Sequence, residues 1–127
     1  MIASLLLLTA ASLLGLYLAT DYLAPESRLA THLKTQPRGG YALIHAALGT
    51  AGLLLLIAKT PSPTQLAQAG APGFARLAEW ALGITLLLGA LTALIGARRR
   101  PPGLIISLHA AAAITGLTII LAIFGLT

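Results

Sequence analysis

The sequence contains no cysteine and no asparagine. Without cysteine the chain cannot form disulfides, thiolate metal sites or iron–sulfur clusters, and it cannot attach haem covalently through a C-x-x-C-H motif. Without asparagine it has no acceptor for N-glycosylation. Cofactor chemistry that depends on cysteine sulfur is therefore excluded.

Charged residues are also scarce. They make up 9% of the 127 residues, against roughly 25% in a typical soluble domain. Hydrophobic residues reach 57%, and a domain this small cannot hide that much apolar surface from water. Disordered chains, in contrast, are rich in charge and poor in leucine. We therefore interpret residues 1–127 as one integral membrane domain in a lipid bilayer, and a water-soluble enzyme is excluded.

Aromatic residues are few as well, at 5%, although the net charge is +5. Most of the basic residues lie between long apolar runs, where they determine membrane topology. No basic stripe coincides with a nucleic-acid recognition motif, so we predict no nucleic-acid partner.

Four apolar stretches are each long enough to cross roughly 30 Å of hydrocarbon, which takes about 20 helical residues. They cover residues 2–20, 40–58, 77–97 and 103–126. The period-two alternation of membrane strands is absent, so the predicted fold class is all-α, an up-down-up-down four-helix membrane bundle. The first span lacks a basic n-region and is longer than a usual signal-peptide core, so we expect it to be a retained helix.

The connections differ in their basic residues. Connections 21–39 and 98–102 hold three Lys or Arg each, whereas connection 59–76 holds two. The positive-inside rule then predicts that the first and third connections are cytoplasmic and that both termini are periplasmic, in a bacterial inner membrane. We also predict a short interfacial helix over residues 25–34 and an irregular loop over residues 59–76.

The second and fourth spans share a pattern that begins at their histidines. Aligning His45 with His109 produces H-A-A-x4-G-L-x4-A in both. The first and third spans match more weakly, at Leu13-Leu14-Gly15 and Leu87-Leu88-Gly89. Two hairpins repeated in the same direction imply a pseudo-twofold axis along the membrane normal. The second and fourth helices are then diagonal neighbours, and their imidazoles face each other at similar depth.

Small residues follow each histidine on its own helix face, at the fourth and seventh positions after it. Neutral imidazole is a good iron ligand, and a flat ligand between the helices needs such a cleft. We therefore predict one haem b with His45 and His109 as axial ligands through the haem iron. Its predicted cleft residues are Gly49, Gly52, Ala113 and Gly116. Candidate partners for its propionates are Arg38, Arg98, Arg99 and Arg100.

This arrangement resembles the membrane-embedded b-type cytochromes, in which histidines on separate transmembrane helices hold haem inside a bundle. The resemblance covers the four-span layout and the residues His45, Gly52, His109 and Gly116. It implies one-electron transfer by a subunit of a larger respiratory or dehydrogenase complex, with a quinone as a further partner, and not an enzyme by itself. Cytochromes that carry electrons across the whole membrane typically have two haems and four histidines. This chain departs from that pattern, since only two of its histidines are intramembrane.

Other interpretations stay open. Buried histidines can simply hydrogen-bond neighbouring helices in a cofactor-free accessory subunit that stabilises a larger membrane complex. Bacteriochlorophyll or a quinone could occupy the same cleft. His32, in the first connection, is predicted to be a solvated or interfacial side chain, with a proton-relay or quinone-site role as the alternative. Transport is disfavoured, because every carboxylate lies at or beyond a span edge.

Overall fold

The computed structural model describes residues 2–23, 38–98 and 101–126. Over these residues the chain is helical and has no strand. The helices are α1 (Ile2–Leu23), α2 (Arg38–Lys59), α3 (Pro63–Gln68), α4 (Phe74–Gly96) and α5 (Gly103–Leu126). All except α3 are long and apolar enough to cross a membrane. This confirms the predicted all-α four-helix membrane bundle, with helix ends within three residues of the predicted spans.

Several predicted features lie outside the described residues. They are the interfacial helix over residues 25–34, His32, Arg99 and Arg100.

The four long helices form two hairpins. Helix α1 packs along α2, and α4 packs along α5, while the hairpins meet more sparingly through α1 with α5 and α2 with α4. Each of α2 and α5 therefore has α1 and α4 as its neighbours, which places α2 and α5 on one diagonal of the bundle. The diagonal relation predicted for the second and fourth spans is present.

The core is small for four long helices. Its buried cluster consists of Leu8, Leu53, Leu56, Ala78, Leu82 and Ile120. Many other large apolar side chains face outward, and Leu43 and Leu87, for example, are each 72% exposed. Such a large apolar surface is the face that a lipid bilayer covers. The molecule is accordingly an integral membrane protein.

The sequence repeat is also a repeat in helix packing. A β-carbon on Gly52 would lie 2.7 Å from Cγ of Leu8, and one on Gly116 would lie 2.8 Å from Cγ of Leu82. These two leucines are related by the same offset that relates Gly15 to Gly89 in the sequence. Each hairpin is therefore closed by one leucine resting directly on a glycine of the partner helix, as in small-residue helix seams.

The connection between α2 and α4 contains helix α3, so the prediction of an irregular loop is wrong for residues 63–68. Ser62 begins the helix with a capping box, in which its hydroxyl accepts from the Gln65 N–H and its own N–H donates to Gln65 Oε1. Leu66 of α3 is buried with Ala75 and Ile123. The short helix thus covers one end of the bundle.

Candidate functional site

His45 of α2 and His109 of α5 meet inside the bundle. Their ring centroids are 5.9 Å apart, and their ring planes cross at 72°. Both side chains are half-buried. The two histidines that the sequence repeat pairs, 64 residues apart, are thus brought together between diagonal helices.

Each imidazole is held by a hydrogen bond to the other helix of its own hairpin. Nδ1 of His45 lies 2.8 Å from the carbonyl oxygen of Ala11 on α1. Nδ1 of His109 lies 2.8 Å from the carbonyl oxygen of Thr85 on α4. A carbonyl oxygen can only accept, so Nδ1 must be the donor in both rings. In the neutral imidazole the lone pair then belongs to Nε2.

A glycine lies against each ring, one helical turn after the accepting carbonyl. A β-carbon on Gly15 would lie 2.8 Å from Cε1 of His45, and one on Gly89 would lie 3.0 Å from Cε1 of His109. Any side chain at these positions would therefore press on the imidazole. Sequence reasoning matched the two glycines but gave them no role, and the weak repeat between the first and third spans was the available signal.

The Nε2 atoms are the nitrogens available to a ligand. Among the described residues none makes a hydrogen bond to either Nε2, and no buried polar side-chain atom there lacks a partner. Both Nε2 atoms therefore border accessible space. A metal about 2 Å from each nitrogen, with each ring centroid about 1 Å further back, separates the centroids by roughly 6 Å. The observed separation of the centroids is 5.9 Å.

His45 and His109 supply two imidazole donors to this site. Within residues 2–23, 38–98 and 101–126, no group of three or more His, Cys, Asp or Glu side chains could hold a metal. A structural zinc ion takes four protein ligands, whereas haem iron needs only axial ligands from the protein. Two imidazoles therefore form a suitable donor set for haem iron.

The four predicted cleft residues fall into two pairs. A β-carbon on Gly49 would meet open space, and Ala113 is half-buried. Gly52 and Gly116, in contrast, rest against leucine side chains of the partner helices. Helix packing therefore accounts for Gly52 and Gly116, whereas the space next to Gly49 is open.

Two of the predicted propionate partners, Arg38 and Arg98, lie toward the bundle end where α2 begins and α4 ends. Arg38 is the first residue of α2, and Arg98 is exposed just after α4. Tyr41, one helical turn before His45, packs edge-on against Tyr17 with the centroids 6.0 Å apart. The propionate partners therefore stay a prediction, and Tyr41 contacts a second tyrosine.

A concave feature lies on the seam between α2 and α4, toward α3. It has a volume of about 290 Å³ and is lined by Leu53, Ile57, Arg76, Glu79, Trp80 and Gly83. Arg76 and Glu79 form an ion pair there at 3.8 Å. Four of the lining residues belong to α4. The sequence repeat relates them to positions of α1 with different side chains: Arg76 to Ile2, Glu79 to Leu5, Trp80 to Leu6 and Gly83 to Thr9. The two halves of the chain thus diverge at this end, although they share the same histidine–glycine contacts.

Comparison with protein-family models, with curated proteins and with solved structures finds no match for this chain.

Proposed function

We propose that the chain is a membrane electron-transfer subunit that binds one haem b between α2 and α5, with His45 and His109 as axial ligands. The hydrogen bonds of the two imidazoles support this proposal most directly. Both rings donate Nδ1–H to a main-chain carbonyl, and both keep Nε2 for a ligand. Haem, when bound, supplies a one-electron carrier.

The protein's own groups would tune that site. A carbonyl that accepts from Nδ1–H fixes the tautomer and makes Nε2 a stronger donor to a metal. A β-carbon on Gly49, one turn after His45, would meet open space, and Arg38 and Arg98 belong to the bundle end where α2 begins and α4 ends, to which the propionates would point. A single haem in a bundle of this size suits electron exchange with a quinone or with a partner subunit in a larger respiratory or dehydrogenase complex.

The proposed setting is a bacterial inner membrane. Connections 21–39 and 98–102 carry most of the basic residues of the loops, so the positive-inside rule favours the cytoplasm for both. Both termini would then be periplasmic. Because the chain has no cysteine, this orientation can be tested with one introduced thiol. The cysteine of Arg98→Cys should react with a membrane-impermeant thiol reagent only after the membrane is permeabilised.

The first experiment is a reduced-minus-oxidised absorption spectrum of the detergent-purified chain, with extraction of any pigment. We expect a sharp low-spin haem b band at about one haem per chain. Extraction would identify a different macrocycle such as bacteriochlorophyll. A folded protein that stays colourless after reconstitution with haem contradicts the proposal.

Two matched variants separate ligation from folding. In His45→Asn and His109→Asn the amide nitrogen takes roughly the place of Nδ1 and can donate to the same carbonyl, but no imidazole remains for iron. We expect both variants to fold and to lose haem. His32→Asn, outside the pair, serves as the control and should keep haem. Haem retained in both pair variants would refute the axial assignment.

One observation favours a second candidate, a cofactor-free accessory subunit that stabilises a larger membrane complex. Each histidine ties the two helices of its hairpin together, and this alone is a structural role. Under that function His45→Ala lowers the free energy of unfolding while His45→Asn does not, and the purified wild type is colourless.

A further inference from the structure

We infer that Gly15 and Gly89 are positioning residues, which set the tautomer and the orientation of His45 and His109. Each glycine, with the carbonyl four residues before it, forms a notch that receives one imidazole. We call these the α1 notch, Ala11 to Gly15, and the α4 notch, Thr85 to Gly89. The consequence for haem rests on the proposed function, whereas the tautomer is a property of the haem-free chain.

The notch uses one turn of helix backbone. In an α-helix the carbonyl of residue i accepts from the N–H of residue i+4, and a carbonyl oxygen has two lone pairs. The Ala11 oxygen can therefore accept from Gly15 N–H and from His45 Nδ1 together. A β-carbon on Gly15 would lie 3.3 Å from that Nδ1 as well as 2.8 Å from Cε1. A methyl group there would push the donor away from its acceptor.

The α4 notch has the same form. A β-carbon on Gly89 would lie 3.0 Å from Cε1 and 3.4 Å from Nδ1 of His109. The accepting residues differ, since Ala11 is matched by Thr85, but the acceptor is a main-chain oxygen in both. The residue type that the two notches have in common is glycine. Its absent β-carbon is the feature that lets each ring reach the helix backbone.

The notch determines which nitrogen is free. Donation from Nδ1–H to a carbonyl leaves Nε2 unprotonated, and such outer contacts strengthen the imidazole as a ligand. A displaced ring loses that bond and becomes a weaker donor, which favours ferrous over ferric iron. Ring displacement should therefore weaken haem retention and raise the midpoint potential.

The first test needs no haem. In detergent, ¹⁵N-histidine NMR of the haem-free wild type should show His45 and His109 with protonated Nδ1 and unprotonated Nε2, assigned with the asparagine variants. Gly15→Ala should alter the His45 signals and leave those of His109 unchanged, and Gly89→Ala should do the reverse. Each variant is thus the control for the other. Protonated Nε2 in the wild type, or no reciprocal change in the variants, overturns the inference.

The second test uses the haem-loaded chain. Loss of an outer-shell partner costs on the order of 10- to 100-fold in metal affinity, so we expect that loss of haem retention in Gly15→Ala and Gly89→Ala, with a higher midpoint potential. Gly83→Ala, on α4 with open space around its β-carbon, is the matched control and should behave as wild type.

The outcomes separate the two claims. A wild type that binds haem, with unchanged affinity and potential in both notch variants, overturns the positioning role and leaves the proposed function standing. A wild type that stays colourless, with the expected NMR pattern in the wild type and in the variants, overturns the proposed function and leaves the positioning role standing. Where one notch variant fails to fold, the alanine variant of the other notch makes the same test on the other histidine.

Discussion

Helices α1 and α2 are in tight contact at Gly52, where a methyl group has no room. A β-carbon there would lie 2.7 Å from Cγ, 2.9 Å from Cδ2 and 3.3 Å from the backbone nitrogen of Leu8. Carbon atoms in contact normally lie about 3.5–4.0 Å apart. In Gly52→Ala the Leu8 side chain must therefore move by about 1 Å, and the α1 backbone must yield slightly.

The expected cost combines three contributions. Overpacking of this kind costs about 1–3 kcal/mol. The buried Ser4 hydroxyl donates to the Gly52 carbonyl at 3.1 Å. A shift of α1 would break this hydrogen bond, which contributes about 0.5–1.5 kcal/mol to the free energy of unfolding. The gain in helix propensity from glycine to alanine opposes these by about 1 kcal/mol. We expect the free energy of unfolding to fall by about 0.5–3.5 kcal/mol, because packing is the main force between helices in lipid.

The assay is reversible unfolding of the haem-free chain in mixed micelles by titration with sodium dodecyl sulfate, followed by far-ultraviolet circular dichroism. Gly49→Ala, three residues away on the same helix, is the control because its β-carbon would meet open space. We expect Gly49→Ala to be neutral or slightly stabilising. An equal loss in both variants would show that the cost is not steric.

A double-mutant cycle makes the test sharper. Leu8→Ala removes the side chain that Gly52→Ala would strike, so the second substitution should cost less in the Leu8→Ala background, with a coupling of about 1 kcal/mol or more. If the effects of Leu8→Ala and Gly52→Ala on the free energy of unfolding are additive, the contact between these two residues is refuted. Gly116 and Leu82 offer the same cycle in the other hairpin, and the repeat predicts the same sign.

Three further predictions concern single side chains. Thr85→Ala should leave the tautomer of His109 unchanged in the ¹⁵N spectrum, because the acceptor is the main-chain oxygen, and a changed tautomer would contradict that geometry. Ser4→Ala should lower the free energy of unfolding by about 0.5–1.5 kcal/mol, since a buried hydrogen bond is lost, and no change would show that the bond contributes nothing. Ser62→Ala removes the capping box of α3 and should cost about 0.5–2 kcal/mol, seen as faster proteolysis within residues 60–73, whereas an unchanged cleavage rate would argue against the cap.

The four long helices were predictable because their signal is simple. A span must satisfy its backbone within itself and match the bilayer thickness, so length and hydropathy are enough to locate it. The meeting of His45 and His109 was also predictable, because an internal repeat places equivalent residues at equivalent depths. Helix α3 was missed although its capping box is visible in the sequence as Ser62-Pro63-Thr64-Gln65.

The partners of the histidines were not predictable in the same way. Main-chain carbonyls accept both hydrogen bonds, and every residue has one, so the sequence carries no mark of the acceptor. The small residues were ambiguous for a related reason, since glycine permits both a cleft and a close helix contact. Spacing places Gly49 and Gly52 near one helix face, but only the leucine resting on Gly52 shows which glycine packs.

The histidine pair poses a chemical problem that packing alone does not solve. A helix interior offers an imidazole only acceptors, because its N–H groups are already bonded within the helix, so each Nδ1–H is satisfied by a carbonyl while Nε2 is not. No described residue donates to either Nε2. Two neutral imidazoles of this tautomer cannot hydrogen-bond to each other through Nε2, since neither has a proton there to give. A Lewis acid between them satisfies both at once, and haem iron with open axial positions is one that two imidazoles alone can hold. This is the physical argument behind the cofactor that we propose.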